Sequence, residues 1–279
     1  MTDDLTVIAV AQNEAFQATE WLKHLSWVKR ILVIDTGSRD GTVERLRAGG
    51  AEVIEYRPAG GLIHVAKNHA LEQVKSGWVL DLDLDERVPD LLRHEILSVV
   101  NGGDRAPAPA GFQIPFRHYV FGRWLRHGGW RTKHLRLYRA GALRYGEDRA
   151  HSAPVLTGQQ AELRNFVVHY AHPTVHDFLV KMNRYTSHDA PLLNATGRGG
   201  LRNRALLPAR RRSWTRAALS VFWNRYIKAA GFRDGVPGFV VAVLLGAYAF
   251  IEQAKVWELR RVEAGASSDG VRGRDLATP

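Results

Sequence analysis

Blocks of apolar residues, each closed by a short polar turn, recur through the first hundred positions and set the expected elements. Residues 5–11 form a continuous apolar run, the pattern of a central parallel strand buried on both faces. Gln12, Asn13 and Glu14 stop it, and residues 15–27 resume with Phe16, Trp21, Leu22 and Leu25 at helical spacing. Residues 31–34 are a second buried strand, ending in the polar turn Asp35-Thr36-Gly37-Ser38-Arg39-Asp40-Gly41. A helix over 42–48, a strand over 52–56 and a helix over 62–75 follow. Strands alternating with helices predict an α/β fold with a mostly parallel, doubly wound sheet, which binds ligands at the carboxyl ends of its strands.

The helix over 62–75 delivers the chain to Trp78-Val79-Leu80, an apolar run followed by Asp81, Asp83 and Asp85 at alternate positions and then Glu86. In an extended strand such residues share one face, so the three carboxylates are expected to converge while Leu82 and Leu84 anchor the other side. Like charges gathered in this way repel and invite an oxygen-preferring divalent cation, Mg²⁺ or Mn²⁺. The alternative is a solvent-facing strand with hydrated aspartates. No Gly-x-Gly-x-x-Gly follows the first strand and no P-loop motif occurs, so dinucleotide and P-loop binding are unsupported.

Beyond a Pro/Ala loop at 106–111 the pattern becomes β-rich, with strands expected over 112–120, 135–138 and 163–169, then a helix over 174–190. His127, His134, His169 and His172 enrich this half in histidine. The spacing of His169 and His172 suits a metal, but no third ligand is evident in the sequence.

Composition changes the picture mainly at the C-terminal end. The 279 residues carry a net charge of +11, which suggests an anionic partner. There is no cysteine, which excludes disulfides, thiolate metal sites and thiol nucleophiles. Met1-Thr2-Asp3-Asp4 lacks the basic and long apolar regions of a signal peptide. Residues 198–233 are rich in Arg with interleaved aromatics and contain no Asp or Glu; residues 235–251 are uncharged. That uncharged run is shorter than the about 20 residues of a membrane-spanning helix and is interrupted by Pro237-Gly238. A basic, Trp-rich segment beside a short apolar helix fits an anchor on an anionic membrane surface, with a core helix or a homo-oligomer contact as alternatives.

Taken in order, residues 7–14, residues 33–42, Lys67-Asn68 and Asp83-Leu84-Asp85-Glu86 resemble the family 2 glycosyltransferases, and more narrowly the branch of lipopolysaccharide-core β-glucosyltransferases. His169-Tyr170, the segment 181–185, the segment 226–235 and the segment 254–259 are similar to that branch as well, so the resemblance spans about residues 5–261. It implies a GT-A type, Rossmann-like α/β fold over 1–197, with a nucleotide-sugar half (1–105) and an acceptor half (111–197). A basic and apolar helical appendage that associates with membrane over 198–264 and a disordered tail over 265–279 complete the expected organisation.

The resemblance further implies that Gln12, Asn13, Glu14 and Asp35 line the nucleotide pocket, that Lys67 and Asn68 lie near the diphosphate, and that Asp83 and Asp85 hold a nucleotide-bound metal. A turn cap for Asp35 and a solvated helix position for Lys67 are the plain alternatives. Asp148, then Glu147, is the expected base for inverting transfer; a charged turn is the alternative, since the branch has His-Glu where this chain has His151-Ser152. The implied reaction moves a hexose, glucose from UDP-glucose, to a membrane-anchored saccharide such as the lipopolysaccharide inner core, at the inner face of the bacterial inner membrane. A polyprenyl phosphate or capsular glycan is the other acceptor class. The rival of a different class, a nucleic-acid-binding protein built on the Arg-rich stretch, is disfavoured by the carboxylates at the sheet crevice, and no nucleic acid is expected.

Overall fold

The structure is a computed structural model and describes residues 2–58, 62–102, 108–146, 154–196 and 214–268. In chain order the first elements are β1 (Thr2–Ala11), α1 (Ala15–Lys23), β2 (Val28–Asp35), α2 (Thr42–Ala48), β3 (Glu52–Glu55), α3 (Ile63–Glu72) and β4 (Trp78–Asp81). Next come β5 (Glu86–Arg87), α4 (Asp90–Asn101), β6 (Gly111–Val120), β7 (Arg123–Trp124), β8 (Lys133–Arg139) and β9 (Leu143–Tyr145). The chain continues through β10 (Pro154–Leu156), β11 (Gln160–Glu162), β12 (Val167–His172), α5 (Val175–Thr196), α6 (Trp214–Trp223) and α7 (Gly235–Ser268). It divides into two compact units, Met1–Tyr119 with Arg131–Ala171, and Val120–Trp130 with His172–Pro279.

In the first unit the sheet runs β3-β2-β1-β4-β8-β6-β12-β5. The pairs β3·β2, β2·β1 and β1·β4 are parallel, whereas β4·β8 and β8·β6 are antiparallel. This is the mixed α/β architecture expected from the resemblance. The apolar runs explain the parallel half directly. Leu5, Val7, Ala9 and Ala11 of β1 pack on one side with Trp21 and Leu22 of α1, Leu25 of the turn after it, and Leu92 and Ile96 of α4. Ile8, with Leu32, Ile34 and Val79, packs on the other side against Ala66 and Ala70 of α3. A strand buried on both faces needs no polar alternation, and none is present.

The strand expected to run through Asp85 ends at Asp81. Leu82 still donates its N–H to the Ile8 carbonyl at 3.0 Å, but Glu86 N–H returns to the Asp83 carbonyl at 3.0 Å, closing a turn. That turn aims Glu86–Arg87 back as β5, antiparallel to β12. Asp81, Asp83 and Asp85 therefore do not share one strand face.

The second unit is helical apart from β7. The helix expected over 174–190 runs on to Thr196 past Pro191, where Ala190 and Leu193 bury against Val256 of α7. Pro237-Gly238 do not interrupt the apolar run. Pro237 occupies the first turn of the 34-residue α7, where a missing N–H costs nothing. The helical stretch Gly231–Val262, with a mean hydropathy of 1.8 over its most apolar 18 residues, is long and apolar enough to cross a membrane by length and composition, so the helix outruns the short uncharged run within it. Between α6 and α7 lie a π-helical turn (Asn224–Lys228) and a 3₁₀ turn (Gly231–Asp234). Asp234 accepts from the backbone N–H groups of Arg126 and His127 and pairs with His127 Nδ1 at 2.9 Å. Of the expected tail, residues 265–268 continue α7 and the rest lies outside the described residues, as do Arg198, Arg202, Arg204 and Arg210 to Arg212.

Candidate active site

The polar turns after β1, β2 and β4 lie at the carboxyl ends of neighbouring parallel strands of the first unit. The first two turns are stitched together. Asn13, at φ 55° in the left-handed region that Asn tolerates, donates its N–H to Ser38 Oγ (2.8 Å) and accepts from Arg39 N–H (2.9 Å). The N–H groups that open α1 are capped from the neighbouring loop: Glu14 N–H by Thr42 Oγ1 (2.8 Å) and Ala15 N–H by Asp40 Oδ2 (3.0 Å). Gln12 is exposed. Asp35 is buried and folds onto its own turn, where Oδ2 accepts from Gly37 N–H (2.9 Å) and Ser38 N–H (3.0 Å) and Oδ1 from the Ser38 hydroxyl. Its geometry is that of the turn cap.

The third turn is governed by two buried cations. Lys67, from α3, donates to both oxygens of Asp81 (2.8 and 3.0 Å) and to Asp83 Oδ1 (3.1 Å). Arg136, from β8, reaches Asp81 (3.2 Å), Asp83 Oδ2 (2.9 Å) and Glu86. The Tyr145 hydroxyl adds a hydrogen bond to Asp81 at 2.8 Å. The mutual repulsion expected of the aspartates is thus relieved by Lys67 and Arg136. Asn68, expected near a diphosphate, exchanges two hydrogen bonds with the Tyr145 backbone (2.8 and 2.9 Å).

Burial opposes the charge on Lys67, but Asp81 and Asp83 more than offset it and hold the ammonium protonated. Burial likewise raises Asp83, while Lys67 and Arg136 outweigh it and keep the carboxylate ionised far below the usual range. Glu86 is the opposite case. Burial pushes it up to about 8, Arg136 pulls it down, and the Asp83 charge raises it further.

Asp85 stands apart from the ion-paired aspartates. With Glu86 and His169 of β12 it forms a cluster offering one ligand atom each, all within 4.8 Å of one another. The gap from Asp85 Oδ2 to His169 Nε2 is 3.4 Å. Burial depresses the His169 pKa, but its hydrogen bond to Asp85 and the charges of Asp85 and Glu86 raise it overall. The Asp85 carboxylate and the His169 imidazole are donors that suit Mn²⁺ and, less well, the more strictly oxygen-seeking Mg²⁺; Glu86 already accepts from Arg136 and from the Asp83 N–H. Asp83 has its oxygens on Lys67 and Arg136. His172 does not join His169; it meets Trp130 (6.5 Å) and Phe178 (4.5 Å). Glu147 and Asp148, the expected bases, lie outside the described residues. Arg136, Tyr145 and His169 as a partner of Asp85 escaped the sequence reading. The one available signal for Arg136 was its position between Leu135 and Leu137 on a strand beside the core.

A sheet whose parallel half ends in an acidic turn and passes into antiparallel strands is compatible with the GT-A type fold that the sequence resemblance implies. No family profile matches the chain. It is similar over 272 residues, at 25% identity, to the lipopolysaccharide core biosynthesis glycosyltransferase LpsC of Rhizobium meliloti (strain 1021), covering 95% of this chain and 96% of that protein. Similar solved structures include the mannosyltransferase PcManGT of Pyrobaculum calidifontis in complex with GDP-Man and Mn²⁺ (16% identity, 91% of this chain and 87% of that one, TM-score 0.48). Another is S. aureus TarS 1-349 in complex with UDP (16% identity, 98% and 94%, TM-score 0.44).

Proposed function

We propose that this chain is a glycosyltransferase of lipopolysaccharide core assembly, moving a hexose, glucose from UDP-glucose, to the inner core with inversion at C1. The observation that carries the reading is the Asp85–Glu86–His169 cluster at the end of the parallel half-sheet, and the name of the full-length relative favours the lipopolysaccharide acceptor over a polyprenyl phosphate or capsular glycan. Asn13, Glu14 and Asp35, locked into joined loops, present a rigid wall to the nucleotide; Gln12 lies at its rim. Lys67 and Arg136 hold Asp81 and Asp83 so that the turn bearing Asp85 keeps one shape. Lys67, Asn68 and Asp83 line the site beneath the diphosphate. Asp85 and His169 hold the divalent cation. When bound, the cation supplies charge stabilisation to the departing diphosphate. A carboxylate at Asp148 or Glu147 takes the proton of the acceptor hydroxyl as it attacks the far face of C1.

The acceptor is lipid-linked in this reading, and the second unit carries a surface suited to its membrane. Val236, Phe239, Val243, Phe250 and Trp257 are exposed on α7 at spacings that keep to one helix face, and Arg233, Arg260 and Arg261 stand at its ends. That face docks on the anionic inner leaflet, which places the enzyme peripherally on the cytoplasmic side.

The deciding experiment measures hexose transfer and UDP-sugar binding with Mn²⁺ or Mg²⁺ for wild type and Asp85→Ala. The variant is expected to lose cation-dependent donor binding and at least a hundredfold in transfer rate, of the order seen when one charge-stabilising group is removed. Unchanged transfer, or donor binding indifferent to divalent ions, overturns the reading.

A further inference from the structure

A chain of polar side chains runs from His169 away from the carboxylates, and the activity as described does not use it. His169 Nδ1 lies 2.9 Å from His118 Nδ1; His118 Nε2 lies 2.7 Å from Thr132 Oγ1; Thr132 Oγ1 lies 3.0 Å from His134 Nε2. All four residues belong to the first unit, on β6, β8 and β12 and the turn before β8. Phe116 packs against the rings of His118, His134 and His169, at centroid distances of 5.6, 4.7 and 6.1 Å. His118 and Phe116 are each 6% exposed, so the rings are held rather than free to turn.

Two ring nitrogens at 2.9 Å share one hydrogen. To ligate a cation through Nε2, His169 must carry its proton on Nδ1, and that proton then goes to His118 Nδ1. A neutral His118 accepting there carries its own proton on Nε2 and donates to Thr132 Oγ1. The single hydroxyl hydrogen of Thr132 is thereby turned toward His134 Nε2, which accepts it only when His134 is neutral. Partial loss of hydration, in a ring that keeps an exposed side, and the nearby Arg136 push its pKa down to about 4, which meets the condition.

We propose that His118, set by Thr132, is a positioning residue that fixes His169 as the Nδ1–H tautomer with Nε2 turned toward Asp85 and Glu86. The inference rests on the cation reading above. A partner that fixes the tautomer of a metal-binding imidazole typically carries 10- to 100-fold in metal affinity.

The test uses the full chain with Mn²⁺ for calorimetry and Mg²⁺ for ¹⁵N spectra of the histidine rings. Wild type is expected to show His169 protonated at Nδ1 and bare at Nε2 when Mg²⁺ is bound; without the ion Nε2 carries a proton toward Asp85. His118→Phe is expected to lose that signature and to bind Mn²⁺ at least tenfold more weakly. His118→Asn, whose amide oxygen can stand where Nδ1 does, restores much of the affinity, a result that general loosening of the fold would not give. Thr132→Val, which removes only the far hydroxyl, gives an intermediate loss in a variant expected to fold. If wild type binds Mn²⁺ and both His118→Phe and Thr132→Val bind it equally well, the positioning role is wrong while the cation site stands. If His169 Nδ1 is bare in the Mg²⁺ spectrum, the tautomer assignment is wrong. If wild type binds no divalent ion in the presence of UDP-sugar, the cation reading itself fails.

Discussion

Lys67 sits at 8% exposure with Asp81 fully buried beneath it, and such a pair is costly to break from one side only. Removing one partner of a buried ion pair leaves the other charge unpaired in low dielectric, at about 3–5 kcal/mol. Lys67→Met is therefore expected to lower unfolding free energy in urea by about that amount, less whatever Arg136 and Tyr145 recover for Asp81. A lysine serving only to touch the donor's diphosphate would leave the urea midpoint unmoved and raise the donor KM instead, so the two measurements separate the roles. The sequence carried the acidic residues of this site openly, because alternate aspartates behind an apolar strand are a local pattern. Its balancing residues were hidden. Arg136 meets Asp83 across 53 positions and Tyr145 meets Asp81 across 64, and nothing in the neighbourhood of either announces the partner. His169 was visible as a possible ligand, yet its companions Asp85 and Glu86 arrive only when β5 pairs with β12.

At the scale of elements, the loops after β1 and β2 act as one unit. Helix α1 has no cap from its own Glu14 side chain; its first N–H groups are satisfied by Asp40 and Thr42 instead. Burial is the largest single influence on Asp40 and raises its pKa, but the Thr42 hydroxyl and the Ala15 and Thr42 amides together outweigh it, leaving the carboxyl below its ordinary 3.8. A depressed folded-state pKa contributes stability above the unfolded value, which is lost as pH falls through the folded one. Asp40→Asn keeps one acceptor oxygen where the carboxylate uses two and is expected to cost about 1 kcal/mol at neutral pH, the net worth of one hydrogen bond. The gap from wild type should close below pH 3.8 in thermal melts; a gap that persists there would show that charge has no part in the cap. The parallel strands and their helices were legible because each is a contiguous run with one period. The antiparallel half was less so. Strands as short as β5, β9 and β11 have two or three residues, too few for any period, and the turn at Asp83 is imposed by pairing made elsewhere.

At the scale of the whole molecule, the net charge of +11 and the apolar face of α7 both suit the anionic membrane surface proposed above. From Val236 to Trp257 that face extends about 30 Å at 1.5 Å per residue, and no Asp, Glu, Lys or Arg falls between Gly235 and Ile251. The opposite side of α7 is committed to protein: Val241, Ala242, Ala249 and Val256 are buried, and Lys255 Nζ bonds Asn183, Thr186 and Ser187 of α5 at 2.7–3.0 Å. A helix crossing the bilayer would carry these polar contacts into hydrocarbon, where unsatisfied or charged groups are expensive; a helix lying along the surface keeps them on the wet side and offers the lipid only its apolar stripe. Wild type is thus expected to sediment with vesicles rich in phosphatidylglycerol, less so with neutral phosphatidylcholine, and to be released by alkaline carbonate. Phe239→Ser with Phe250→Ser removes two exposed rings that are 46% and 40% accessible and is expected to weaken vesicle binding by at least tenfold, with transfer to a soluble acceptor fragment unchanged. Retention after carbonate would establish a spanning helix. A double variant that binds vesicles normally but no longer self-associates in sedimentation would instead assign the stripe to a second copy of the chain.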